Sequence, residues 1–216
     1  MQVSTSDVAG TGTKTLHLMR HGQTAMNVYL SYNPYGSQGF EDPLIFDTSL
    51  TDVGVEQARK AKGKAKGLRP VPELLVVSPL SRALHTADLA FPPSSVDCPR
   101  IMHPLARERL YLSSDVGLPR TELLTAWPHY STEHVDEEIW WYTVDKQDPQ
   151  SVTLEPEDVF LERVEELRQF LFHRPEQSIA VVSHSGVLEA LTGGYLFGNG
   201  EIKTLPDFEV SGPAAL

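Results

Sequence analysis

Short apolar runs of strand length alternate with stretches at helical spacing, and that rhythm constrains this chain more than any other feature. "TLHLM" (15–19), "ELLVVS" (73–78) and "SIAVVS" (178–183) read as strands, with "RIMHP" (100–104) and "GEIKTL" (200–205) as shorter ones, the last at a sheet edge. Between them, 51–68 reads as a helix that Thr51 can cap, with Gly54, Ala58, Ala61, Ala65 and Leu68 as a small apolar stripe. Further helices are expected at 79–90, opened by Pro79, at 157–172, with Phe160, Val164, Leu167 and Leu171 inward, and at about 187–196. Strand, helix, strand, helix predicts an α/β fold: a three-layer sandwich with a mainly parallel central sheet and helices on both faces.

The 216 residues suit one domain, expected over 15–205, with a lead-in at 1–14 and a tail at 206–216. Two long segments break the rhythm. Residues 28–49 carry Tyr29, Tyr32, Tyr35, Phe40 and Phe46, and residues 105–156 carry Trp127, Trp140 and Trp141. Such insertions are expected to be lids or substrate walls, the plainer alternative being surface packing. The first residues lack an apolar signal core, and no stretch has the length of a transmembrane helix. The lone Cys98 leaves no internal disulfide, so a cytoplasmic location is expected. A net charge of −11 argues against nucleic acid or an anionic membrane as partner. Oligomeric state leaves no mark in the sequence.

Polar groups cluster where the strands end. The first strand ends in Arg20, His21 and Gly22; the second leads to Ser78, Arg82 and Thr86; the fourth to Ser183, His184 and Gly186. In a parallel sheet these carboxyl ends share one edge, where ligands bind, so two histidines and two arginines should converge. A metal site is disfavoured, because its ligands normally come at close spacings with carboxylates, and arginine would repel the ion. A serine nucleophile elbow needs G-x-S-x-G, which is absent. His17, His85, His103 and His173 are expected to be structural. Phosphoryl transfer fits the rest. Arginine forks match phosphate oxygens, and a loose transition state needs positioning and positive charge. Flanking cations keep an imidazole neutral and nucleophilic, and helix starts near 22 and 186 offer N–H groups to phosphate. No cofactor is required. The leaving alkoxide needs a carboxylic acid.

"LMRHGQTAMN", "SLTDVGVEQA", "VVSPLSRALHTA" and "VVSHSG", in this order, resemble the histidine phosphatase (phosphoglycerate mutase-like) superfamily. "FEDPLIFDTSLT" and "NGEIKTL" look most like its plant and fungal mutase-like branch. The resemblance implies that His21 is phosphorylated, that Arg20 and Arg82 bind phosphate, and that His184 donates to it. It implies that Gln23, Thr24, Asn27, Ser185 and Gly186 orient phosphate or substrate, and that Asn199 and Glu201 line the far wall. Glu108 in "ARERL" matches the family's acid, with Asp115 and Glu122 in reserve. Where mutases resemble one another around "ERHYGxLQG", this chain has "ERLYLSSDVG". The expected activity is therefore metal-independent hydrolysis of a small phosphorylated metabolite, the alternatives being a phosphoglycerate mutase and a weakly active phosphate-binding protein.

Overall fold

A computed structural model describes residues 13–209. Residues 1–12 of the lead-in expected at 1–14, and 210–216 of the tail expected at 206–216, lie outside the described residues. The strands are β1 (Lys14–Arg20), β2 (Leu74–Val77), β3 (Arg100–Met102), β4 (Ser178–Ser183) and β5 (Ile202–Phe208). The helices are α1 (Ala25–Tyr32), α2 (Asp52–Lys66), α3 (Ser81–Ala90), α4 (Arg120–Ala126), α5 (Glu157–His173) and α6 (Ser185–Thr192). Short 3-10 turns cover Pro104–Ala106 and Ser113–Asp115.

The sheet order is β3-β2-β4-β1-β5, parallel except for β5, which runs antiparallel to β1 at the edge. This is the expected sandwich, and the apolar pattern explains its layers. Successive strand side chains point to opposite faces. Leu75, Val77, Ala180, Val182 and Met19 pack with the small stripe of α2 and with α3. Leu74, Val76, Ile179, Val181, Leu16 and Leu18 pack with Phe160, Val164 and Leu167 of α5 and Val187 and Leu188 of α6. Each fully buried leucine or valine contributes about 1.5–3 kcal/mol.

Several boundaries differ from expectation. Helix α6 starts at Ser185 and stops at Thr192, because Gly193 takes a left-handed conformation (φ 70°) that closes it. Strand β5 continues past 205 to Phe208, and it tolerates Pro206 because an edge strand leaves N–H groups unpaired. Helix α1 answers the start expected near 22 and runs into the insertion at 28–49, and α4 lies within the insertion at 105–156. α1 forms because Thr24 and Asn27 exchange side-chain and backbone hydrogen bonds in a capping box. Trp140 and Trp141 are buried against the α2/α3 layer, so they are core rather than lid.

The register places the chemistry. Arg20 pairs with Ser183 and Val77 with Val182, so His21, Ser78 and His184 emerge together at one edge. The loop after β1 is then clamped onto the start of α2. Thr51 N–H donates to the Gln23 carbonyl (3.0 Å), and Gln23 N–H donates to Gln57 (2.8 Å). Gly22 and Gly54 meet backbone to backbone, and a Cβ on Gly54 would overlap the Gln23 carbonyl oxygen. Neither partner is a flexible side chain, so nothing can move aside cheaply. Gly54→Ala is therefore expected to destabilise the protein by about 2 kcal/mol or more. Denaturant unfolding checks this, and a loss below about 0.5 kcal/mol would mean the loop is not held as described.

Candidate active site

His21 is buried, and its Nδ1 lies 2.7 Å from the Gly22 carbonyl oxygen. A carbonyl only accepts, so Nδ1 carries the proton and Nε2 keeps a free lone pair. Burial pushes the imidazole well below its ordinary 6.5, and Arg82 and then Arg20 push the same way. Its carbonyl is held in turn by Asn199 Nδ2 (3.1 Å) and by Gly200 N–H (3.1 Å).

His184 stands beside it, the ring centroids 5.1 Å apart. Its Nε2 is 2.7 Å from Ser78 Oγ, while its buried Nδ1 has no partner. Burial, with Arg82 next, also drives this imidazole neutral. Arg20 donates Nη1 to the Phe197 carbonyl (2.7 Å), and its buried Nε has no partner. Arg20 Nε and His184 Nδ1 are thus buried polar atoms without a partner on two residues next to His21, although His184 itself does not line the small pocket.

Arg82 sits in the first turn of α3, behind the β2 strand end. Its guanidinium donates to the Ser114 carbonyl (2.6 Å) and to Asp115 Oδ1 (2.8 Å), both ion-pair partners being almost fully buried. Thr86, one turn later, accepts from Gly22 N–H (3.0 Å), tying α3 to the His21 loop. Asp115 is a clamp rather than a free acid. Its other oxygen accepts from the Tyr111 and Leu112 N–H groups. Burial raises its pKa to about 6, although Arg82 opposes this.

Glu108 faces the same pocket from the segment after β3. Its oxygens accept from Arg109 N–H (2.9 Å) and from Gly186 N–H (3.2 Å) at the start of α6. A Cβ at Gly186 would come within 2.7 Å of Glu108 Oε1, so the glycine is what lets the carboxylate approach. That segment hangs on Glu155, which is fully buried and accepts from Arg107 (2.8 Å), Arg163 (2.9 Å) and Leu110 N–H (3.2 Å). Arg163 Nη1 donates to the Leu105 and Arg107 carbonyls, each at 2.8 Å. Sequence reasoning missed Glu155, Arg163 and Tyr111. A charged residue on the buried stripe of α5, as Arg163 is, was the available signal.

A small pocket of about 60 Å³ gathers Arg20, His21, Asn27, Arg82, Glu108 and Ser185 among its lining. Thr24 lines it too, but its hydroxyl and the Asn27 side chain serve mainly the capping box of α1. Asn27 Oδ1 also accepts from Asn199 (3.2 Å). Three expectations need correction. The Gln23 side chain accepts from Thr51 Oγ1 (2.9 Å), which draws it into the α2 anchor instead of toward phosphate. Glu201 accepts from Tyr195 Oη and Gly198 N–H, both at 2.8 Å, and braces the loop before β5 behind the pocket. Glu122 is exposed on α4 beside Thr121 and Thr125, because that helix turns its leucine inward. The helix termini differ as well: α1 begins three residues after Gly22, and the Gly186 N–H is taken by Glu108.

The remaining histidines serve elsewhere. His17 bridges Thr204 Oγ1 and the Pro70 carbonyl (both 2.9 Å), His103 stacks on His134, His173 donates to Gln169, and His85 is exposed. Among the described residues, no three His, Cys, Asp or Glu side chains stand together as a metal would require.

The model of the histidine phosphatase superfamily, branch 1, matches residues 16–216. The chain belongs to that superfamily. This family member is 33% identical over 138 residues to a "Probable phosphoglycerate mutase" of Arthroderma benhamiae, covering 55% of this chain and 40% of that protein. It is 26% identical over 222 residues to a phosphoglycerate mutase-like protein of Arabidopsis thaliana, covering 84% of this chain and 74% of the other. It shares the fold of the alpha-ribazole phosphatase from Shigella flexneri, with a TM-score of 0.55, 23% identity, and 93% and 98% of the two chains covered.

The buried imidazoles of this histidine phosphatase fold give a pH dependence of stability. His17, His21, His103 and His184 all have values lowered from 6.5, chiefly by burial. Unfolding below about pH 6.5 therefore takes up protons, and stability present above that pH is lost as pH falls. Asp115 opposes in part, since at about 6 it holds a proton in the folded state that the unfolded chain has released. Asp47, also raised by burial, opposes in the same way. Four groups outweigh two, so Tm should fall from about pH 7 to about pH 5. Calorimetry checks this, and a flat or rising Tm would contradict it.

Proposed function

We propose that the protein is a metal-independent phosphatase that hydrolyses a phosphomonoester through a phosphohistidine on His21. The observation that carries this reading is the His21 Nδ1–H donated to the Gly22 carbonyl, which keeps the Nε2 lone pair free in a pocket with two arginines. Nε2 attacks phosphorus, and the ester P–O bond breaks. Arg20 and Arg82 offset the charge that spreads over the equatorial oxygens and neutral His184 donates a hydrogen bond, so the positive field of a metal is supplied by guanidinium groups. Glu108, as the carboxylic acid, gives its proton to the departing alkoxide. The resulting carboxylate then takes a proton from water, whose oxygen attacks phosphorus. The N–P bond breaks, phosphate leaves, and Glu108 is again protonated.

A phosphoglycerate mutase would use the same first half and then return the phosphoryl group to substrate. The names of the fungal and plant relatives keep that reading in view. Hydrolysis is favoured by a cavity of about 670 Å³ that opens beside Glu108 and gives water a route to the phosphoenzyme.

Phosphate release from a panel of small phosphoesters, with EDTA present, tests the reading. Wild type should release phosphate, and folded His21→Ala should lose at least about a thousandfold in rate. Near-wild-type turnover by that variant would overturn the assignment. Arg82→Lys keeps the charge but loses the fork that spans Ser114, Asp115 and phosphate. It should lower kcat/KM about 10–100-fold, and a change confined to Tm would make Arg82 structural.

A further inference from the structure

The two cavities at this edge of the sheet are one site with two compartments. The small one, about 60 Å³, and the large one, about 670 Å³, share Glu108, Tyr111 and Ser185 as lining. Cavities that hold a drug-sized molecule run from about 300 to 1,000 Å³. The small compartment is far below that range and the large one within it. A phosphomonoester seated with its phosphorus at His21 must leave its bridging oxygen near Glu108, so its alcohol part extends past Glu108 into the large compartment.

The lining of that compartment states what the alcohol part can be. Its apolar wall is Tyr35, Leu154, Phe160, Leu161 and Ala190. Tyr35 is held over the opening by edge contacts with Phe40 (5.3 Å) and Tyr111 (5.1 Å). Tyr35, Leu154 and Leu161 are 54%, 51% and 49% exposed, an apolar cluster on one concavity of an otherwise acidic surface. Its negative charges are Glu157 and Glu189, Glu108 being the acid that gives its proton in the proposed mechanism. Arg109 is the one cation among the described residues lining it, and it is engaged. Its Nε donates to the Glu155 carbonyl (2.8 Å), and its Nη1 lies 3.9 Å from Glu157. A substrate carboxylate would meet the like charges of Glu157 and Glu189 and no free cation.

We infer that the substrate is the phosphomonoester of a bulky, largely apolar alcohol, uncharged or cationic beyond the phosphate, and not a phosphorylated carboxylic acid such as phosphoglycerate. This rests on the phosphohistidine reading above for the position of the phosphoryl group. The apolar wall supplies affinity for the carbon skeleton, and the carboxylates reject acids.

The test compares 1-naphthyl phosphate with 3-phosphoglycerate on the full chain. The ratio of their kcat/KM values should favour the naphthyl ester by at least about a hundredfold. Glu157→Lys/Glu189→Lys should shrink that ratio at least about tenfold. In parallel, calorimetric titration with naphthylmethylphosphonate and with 2-hydroxy-4-phosphonobutanoate reads the same preference without turnover. Tighter binding of the naphthyl compound supports the inference even if no ester is hydrolysed, an outcome that would overturn only the hydrolytic reading. Equal or tighter binding of the acid, or equal hydrolysis of both esters, overturns the substrate class. Turnover by His21→Ala with the naphthyl preference intact would sink the nucleophile and leave the compartment standing.

Discussion

The guanidinium of Arg82 is the interaction on which the rest of the site depends. A buried cation must be paired and hydrogen-bonded, because the interior gives it no water. Asp115 and the Ser114 carbonyl meet that demand, and meeting it fixes the segment around Tyr111–Asp115 against α3. The segment at 28–49 follows suit: Asp42 accepts from Ser113, and Asp47 accepts from Ser81 at the start of the same helix. The same positive charge, with burial, holds His21 and His184 neutral. One ion pair thus orders the pocket roof and helps to keep the proposed nucleophile, His21, neutral.

The second arginine reaches the pocket by a different route. Arg20 ends β1, and parallel pairing with β4 brings it level with Ser183. Two distant chain segments are therefore aligned by backbone register, with no direct bond between the two histidine rings. The Glu108 side is built separately, on the Arg107–Glu155–Arg163 cluster, which suspends Glu108 between α5 and the start of α6. Buried ion pairs of this kind are costly to desolvate, and their return here is a fixed geometry.

The sheet and its covering helices were legible because burial on both faces writes itself as continuous apolar runs, and α2 and α5 as stripes at spacings of three and four. The convergence of Arg20, His21, Arg82 and His184 was legible from strand ends alone. What misled was shared chemistry. Thr24 and Asn27 carry groups that suit phosphate and line the pocket, and they also cap α1. Gln23 and Glu201 were read as ligand contacts, and the Thr51 hydroxyl and the Gly198 N–H claim their side chains first. The insertions were opaque because their aromatic residues divide between the core, as Trp140 does, and the cavity, as Tyr35 does, with no periodicity to tell them apart. Glu155 lies in such a stretch, and its burial among arginines follows only from tertiary contacts.

In the proposed mechanism His21 Nε2 accepts the phosphoryl group. Rapid alkaline quench during turnover, followed by peptide mapping with mass spectrometry, tests it most directly. The account predicts one phosphate on the peptide that contains His21, stable to base and lost in acid. An acid-stable adduct, or one on a peptide lacking His21, would contradict it.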